Sequence, residues 1–125
     1  MTNALFDLHI WIKAKDLAKE IYSITKNKNF DQDRGLRDQL RRAVISVSSN
    51  IAEGYYRSSK NEFRRYLHIS KGSCGEIISQ LIIVKELGCF ENTANLDVLL
   101  EEFDHLSRMI GKLINSLKKT ALEKK

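Results

Sequence analysis

The chain has 125 residues, of which 42% are hydrophobic and 30% charged, and a formal net charge of +5. That is enough chain for one self-supporting core and short for two, and no apolar run approaches the roughly 18 residues of a membrane span. Two cysteines, Cys74 and Cys89, are too few for a disulfide scaffold or a zinc knuckle, and the absence of proline suits long helices.

The opening residues, MTNALFDLHIWIKAKD, lack the basic start and unbroken apolar stretch of a secretory leader. A cytoplasmic chain with reduced thiols is therefore expected, without a membrane partner. A first helix is predicted from about Leu8 to Lys26. Ile10, Ala14, Leu17, Ala18, Ile21 and Ile24 follow the spacing of one buried face, flanked by Trp11 and Tyr22. The polar break NKNFDQD offers Asp31 or Asp33 as the next N-cap.

The second helix is predicted from Arg34 to Glu53, with Leu36, Leu40, Ala43, Val44, Val47 and Ile51 as its stripe. Gly54 stands where that stripe ends and suits a left-handed cap. Ser59-Lys60-Asn61-Glu62 reads as a capping box for a third helix over 60–87. Its stripe is Phe63, Leu67, Ser70, Cys74, Ile77, Ile78, Leu81 and Ile82, and Gly88 closes it, with Cys89 and Phe90 folding back. Thr93 or Asn95 caps a fourth helix over 95–119. That helix carries Leu96, Leu99, Phe103, Leu106, Ile110, Leu113 and Leu117 at near-heptad spacing. Four helices of about 30 Å with short connections describe one antiparallel, up-down four-helix bundle spanning residues 1–125.

The apolar residues outnumber what such a core needs. Ile45, Ala52 and Tyr56 form a line nearly opposite the buried stripe of the second helix. Ile69, Gly72 and Ile83 do the same on the third. Two apolar lines on one helix imply two neighbours, which points to an oligomer interface. A polar line runs beside them: Gln39, Ser46, Asn50 and Glu53 on the second helix, with Glu62, Ser73 and Gln80 on the third. It serves either as a hydrogen-bonded seam between helices or as an ordinary solvated flank.

Charge is segmented along the chain. Residues 34–71 hold nine basic and three acidic groups, residues 72–107 one basic and seven acidic, and residues 108–125 six basic and one acidic. Arg34, Arg37, Arg41, Arg57, Arg64 and Arg65, with Tyr55 and Tyr56 nearby, combine phosphate-binding and base-stacking side chains. The same arginines can instead pair with the acidic segment of a neighbouring subunit.

Catalytic patterns are sparse. Glu102-Phe103-Asp104-His105 is a single E-x-x-H, half of what a di-iron bundle requires, and it flanks the apolar stripe. Cys74 lies on the apolar face as a small core residue. No phosphate-binding glycine loop or nucleophile motif occurs, so a non-enzymatic protein without metal or cofactor is expected.

The stretch GLRDQLRRAVISVSSNIAEGYYRSSKNEFRRYLHISKGSCGEIISQLIIVKELG resembles the four-helix-bundle family known from intervening sequences in bacterial 23S ribosomal RNA genes. The early WIKAKDLAKEIYSIT is similar to that family's first helix. The points of resemblance are Gln39-Leu40-Arg41-Arg42, Ser49-Asn50-Ile51-Ala52-Glu53-Gly54, Glu62-Phe63, and Gly72-Ser73 with Glu76, Gln80 and Leu81. Ser48 replaces a proline common in relatives, and Ile78 an acidic residue. The resemblance implies a four-helix bundle assembled as a homopentameric ring. A similar fold serves as the accessory protein of diversity-generating retroelements, which works with nucleic acid. The family's link to ribosomal RNA genes is one of genomic location, and its biochemical role is undetermined.

Three functional readings follow. The first is an oligomeric bundle that binds RNA or DNA through the six arginines. The second is a scaffold whose basic and acidic segments pair between subunits, and the third is a metal enzyme built on Glu102 and His105.

Overall fold

An amphipathic helix is stable only when its apolar stripe finds a partner. The computed structural model describes residues 4–30, 33–88 and 90–123. In it four helices bury their stripes on one another: α1 (His9–Ile24), α2 (Arg34–Tyr55), α3 (Lys60–Leu87) and α4 (Thr93–Glu123). Short 3-10 turns at Ala4–Asp7 and Lys28–Phe30 precede α1 and α2. No strand occurs among the described residues. The all-α four-helix architecture expected from the sequence is therefore the one observed. The main pairs are α2 with α3 and α3 with α4, while α1 packs chiefly on α2 and more lightly on α4.

The buried set follows the sequence pattern closely in the first two helices. All six expected residues of α1 are buried, as are Leu40, Ala43, Val44, Val47 and Ile51 of α2. In α3 the stripe turns more than expected. Ile82 is exposed and Val84 is buried instead, because α3 must serve α2 along one flank and α4 along the other. In α4 Ile114 is buried, whereas Leu113 is only partly covered. A 3.6-residue helix drifts against a strict seven-residue repeat, so the buried line moves one position within a few turns.

The helix ends are chemically specified. Asp33 caps α2, its carboxylate accepting from the Leu36 amide at 3.0 Å. Ser59 caps α3 through the Glu62 amide at 3.1 Å. Gly88 ends α3 at φ 67°, in the left-handed region that glycine occupies without a Cβ penalty. For α4 the cap is Asn92, whose side-chain oxygen accepts from the Asn95 amide at 3.1 Å, rather than Thr93 or Asn95. Asp31 and Cys89 lie outside the described residues.

Gly54 does not cap α2. It is buried inside the helix, and Gly88 is the chain's one positive-φ glycine among the described residues. A Cβ at position 54 would fall 2.8 Å from the Tyr66 Cβ and 3.2 Å from the Phe63 carbonyl oxygen. Its role is close approach: α3 leaves the turn pressed against the last full turn of α2. Beyond that contact Phe90 folds back as expected and meets Phe30, with ring centroids 6.0 Å apart. The α1–α2 and α3–α4 connections thus share one end of the bundle, and the α2–α3 turn lies at the other. Among the described residues no helix is long and apolar enough to cross a membrane.

Candidate interaction surfaces

The polar line on α2 and α3 forms a seam. The hydroxyls of Ser46 and Ser73 share a hydrogen bond at 2.9 Å. Asn50 donates to the Ser46 carbonyl at 2.8 Å and to its hydroxyl at 3.0 Å. The buried Ser70 hydroxyl donates to the Val47 carbonyl. These bonds satisfy polar groups at a point where two helices meet through small side chains, which fixes register as well as contact.

The seam opens outward into a groove of about 280 Å³ lined by Gln39, Arg42, Ala43, Ser46, Ser73 and Glu76. Arg42 and Ala43 line this groove without belonging to the polar line, because the groove follows the α2–α3 packing rather than the spacing along one helix. Gln80, one turn beyond Glu76, keeps its side-chain oxygen buried without a hydrogen-bond partner. Glu53 leaves the seam. It accepts from Arg57 at 2.8 Å across one helical turn.

Either side of this groove is apolar. Ile45 on α2 is 43% exposed, and Ile69 and Ile83 on α3 are each 46% exposed. Tyr56 is exposed, Ala52 partly covered and Gly72 open. The six residues expected to meet another subunit therefore lie along the outer side of the α2–α3 hairpin, away from the core.

The six arginines do not share one surface. Arg34, Arg37 and Arg41 occupy the first two turns of α2, and Arg57, Arg64 and Arg65 surround the turn after it. From Arg41 to Arg57 is about 24 Å of helix. Arg41 is used internally: its Nε donates to the buried Thr25 hydroxyl at 2.9 Å, and its guanidinium lies 4.7 Å from the Tyr22 ring centroid. That pair ties α2 to the end of α1. Arg57 donates to the Tyr66 hydroxyl at 3.0 Å, and Arg57 and Arg65 each lie 5.2 Å from the Tyr66 ring centroid. The Glu53 hydrogen bond, seconded by Tyr66, raises the Arg57 pKa above its ordinary value.

Glu102 is committed to a partner and Cys74 is shielded. Lys13 of α1 pairs with Glu102 of α4 and holds that carboxyl below the usual carboxylate range. His105 is exposed beside it. Among the described residues no three His, Cys, Asp or Glu side chains are placed to hold a metal. Burial pushes the Cys74 thiol up to about 12, leaving almost no thiolate at neutral pH.

Comparison with known proteins agrees with this architecture. The family model described as 23S rRNA-intervening sequence protein matches residues 6–112. A crystal structure from Bacteroides thetaiotaomicron, of a protein of unknown function from the S23 ribosomal protein family, superposes with a TM-score of 0.75 at 16% identity. The match covers 84% of this chain and 97% of the other. At that identity the likeness concerns the fold. No curated protein matches the chain.

Proposed function

The chain belongs to the 23S rRNA-intervening sequence protein family, and from that premise we propose that it acts by self-assembly rather than catalysis, the outer face of the α2–α3 hairpin forming the subunit contact. The observation that carries this reading is the exposure of Ile45, Ile69 and Ile83 on either side of a polar groove. Three isoleucines left nearly half in water forgo burial of about 1 kcal/mol each, which a second copy would restore. The face measures about 40 Å by 20 Å, near the 800 Å² that one partner of a standard interface buries. Arg42 and Glu76 add one charge of each sign to the same groove, so a neighbouring copy can meet complementary potential there.

Binding of RNA or DNA through Arg34, Arg37, Arg41, Arg57, Arg64 and Arg65 has less support in that form. The first three stand at the end of the bundle that also carries Glu86, Glu91, Asp97 and Glu101, and Arg41 and Arg57 are held by internal partners.

The test is mass in solution by light scattering or native mass spectrometry. The wild type is expected as a closed oligomer, with five subunits as the family resemblance implies. Ile45→Glu with Ile69→Glu is expected to yield a folded monomer of unchanged helicity. A wild-type chain that stays monomeric at about 100 μM, where even a weak contact would populate the complex, overturns the proposal.

A further inference from the structure

The basic residues of α3 and α4 are separated by some 40 positions of an acidic segment, and folding brings them together. Lys71 crosses α4 at Gly111, where a Cβ would lie 3.3 Å from the Lys71 Cε. That contact fixes the antiparallel register. Seven residues back along α3 is Arg64, and seven residues forward along α4 is Lys118, so these two stand level. Lys60, Arg64 and Lys71 share one face of α3, four and seven residues apart. Arg108, Lys112 and Lys118 border Gly111 on α4. A cationic row about 15 Å long on α3 therefore runs beside a cluster of three cations on α4, the helix axes roughly 10 Å apart.

Lys71, Lys112 and Lys118 are exposed and Arg64 partly so. None of the four has an acidic partner within ion-pair distance among the described residues, whereas Lys13 is paired with Glu102 and Lys85 with Asp97. Arg108 pairs only with Asp104 on its own helix, at 3.2 Å. Arg64, Lys71, Lys112 and Lys118 are thus held on neighbouring helices against their own repulsion, an arrangement that an anionic partner relieves.

We infer that this α3–α4 surface binds the phosphate backbone of nucleic acid. A polyphosphate strand supplies a regular linear charge that can follow the α3 row and reach the α4 cations beside it. A membrane surface would call for apolar side chains on the same patch. The exposed Ile82, Leu87 and Val98 lie instead toward the acidic end. An acidic peptide would call for a groove or anchoring pocket. The groove lined by Ser46, Ser73 and Glu76 is on the α2–α3 side instead. The inference stands apart from self-assembly, since it uses α3 and α4 rather than the outer α2–α3 face.

The experiment is fluorescence anisotropy of the intact, nuclease-treated protein with labelled RNA and DNA of about 20 nucleotides, single-stranded and duplex, between about 50 and 200 mM salt. Log affinity is expected to fall linearly with log salt. The variant Arg64→Gln, Lys71→Gln, Lys112→Gln, Lys118→Gln is expected to bind at least about tenfold more weakly at the low-salt end, with a slope smaller by about 3. Arg34→Gln with Arg37→Gln, at the other end of the bundle, is the control and should leave the slope unchanged. Circular dichroism establishes that each variant is folded, and the milder pair Lys112→Gln, Lys118→Gln serves if the quadruple variant is not. No binding at about 50 mM salt, or binding that the variants leave intact, overturns the inference. So does binding to phosphatidylglycerol vesicles or to polyglutamate that equals nucleic acid in affinity and is lost in the same variants, because the partner class would then be wrong.

Discussion

The two ends of the α3–α4 hairpin are built on the same helices and finished in opposite ways. At the loop end, carboxylates predominate, Asp97 among them paired with Lys85, and Ile82, Leu87 and Val98 stand exposed nearby. That end is closed by a buried aromatic contact, Phe30 on Phe90. At the other end cations predominate, mostly unpaired between helices, and closure comes from a glycine, Gly54, that lets α2 and α3 touch. One end spends its side chains on holding itself together, and the other leaves them available. A four-helix bundle thus separates its structural and its interacting work by position along the axis rather than by domain.

Breaking the loop end should have the largest effect. Phe90→Ala removes a buried ring that joins two connections, and is expected to cost about 3 kcal/mol or more in chemical denaturation. The matching change at the cationic end is Gly54→Ala, which places a methyl 2.8 Å from the Tyr66 Cβ. Forcing the two helices apart is expected to cost about 1–3 kcal/mol. If Gly54 were a left-handed cap, Gly54→Ala would instead be relieved by Asn at the same position, so a Gly54→Asn chain as unstable as Gly54→Ala separates the two roles.

The caps of α3 give a smaller and more even contrast, one at each end. Ser59→Ala loses a side-chain acceptor for the Glu62 amide, and Gly88→Ala strains a left-handed residue. Each is expected to cost about 1 kcal/mol in thermal or urea unfolding. The smallest effect concerns the Lys13–Glu102 pair. Lys13 lowers the folded pKa of Glu102 beneath its unfolded value. The stabilisation is therefore complete above the unfolded carboxylate pKa and is lost as pH falls through the folded one. Lys13→Met should be less stable than wild type by under about 1 kcal/mol at neutral pH, because the pair is partly exposed. The two chains should converge in acid, below the ordinary carboxylate range.

Much of this architecture is legible from residue spacing. The buried faces of α1 and α2 follow from apolar periodicity because each of those helices presents essentially one stripe to the core. The pattern fails where a helix serves two neighbours or drifts in phase, as Ile82, Val84, Leu113 and Ile114 show. Gly54 differs from its expected role because a glycine that ends a helix and a glycine that admits a neighbouring helix both stand after an apolar stripe. Only the position of Tyr66, twelve residues later, tells them apart. The seam of Ser46, Asn50 and Ser73 was visible as a line of polar residues, but its bonds depend on the α2–α3 register. The α3–α4 cationic surface was invisible for the same reason. Lysines at the end of α4 read locally as partners of the helix dipole, and only the Lys71–Gly111 crossing sets them beside α3.

Cys74 offers a clock for all of these comparisons. Its thiol is fully covered in the middle of α3, and its raised pKa leaves it unreactive while the helices stay packed. In a chain carrying Cys89→Ser, a thiol reagent can mark the protein only during moments when α3 parts from its neighbours. The rate of labelling then reports the free energy of opening under native conditions, without denaturant. Loosening the loop end should hasten it more than neutralising the α3–α4 cations, so one sulfur atom weighs the two ends of the bundle against each other.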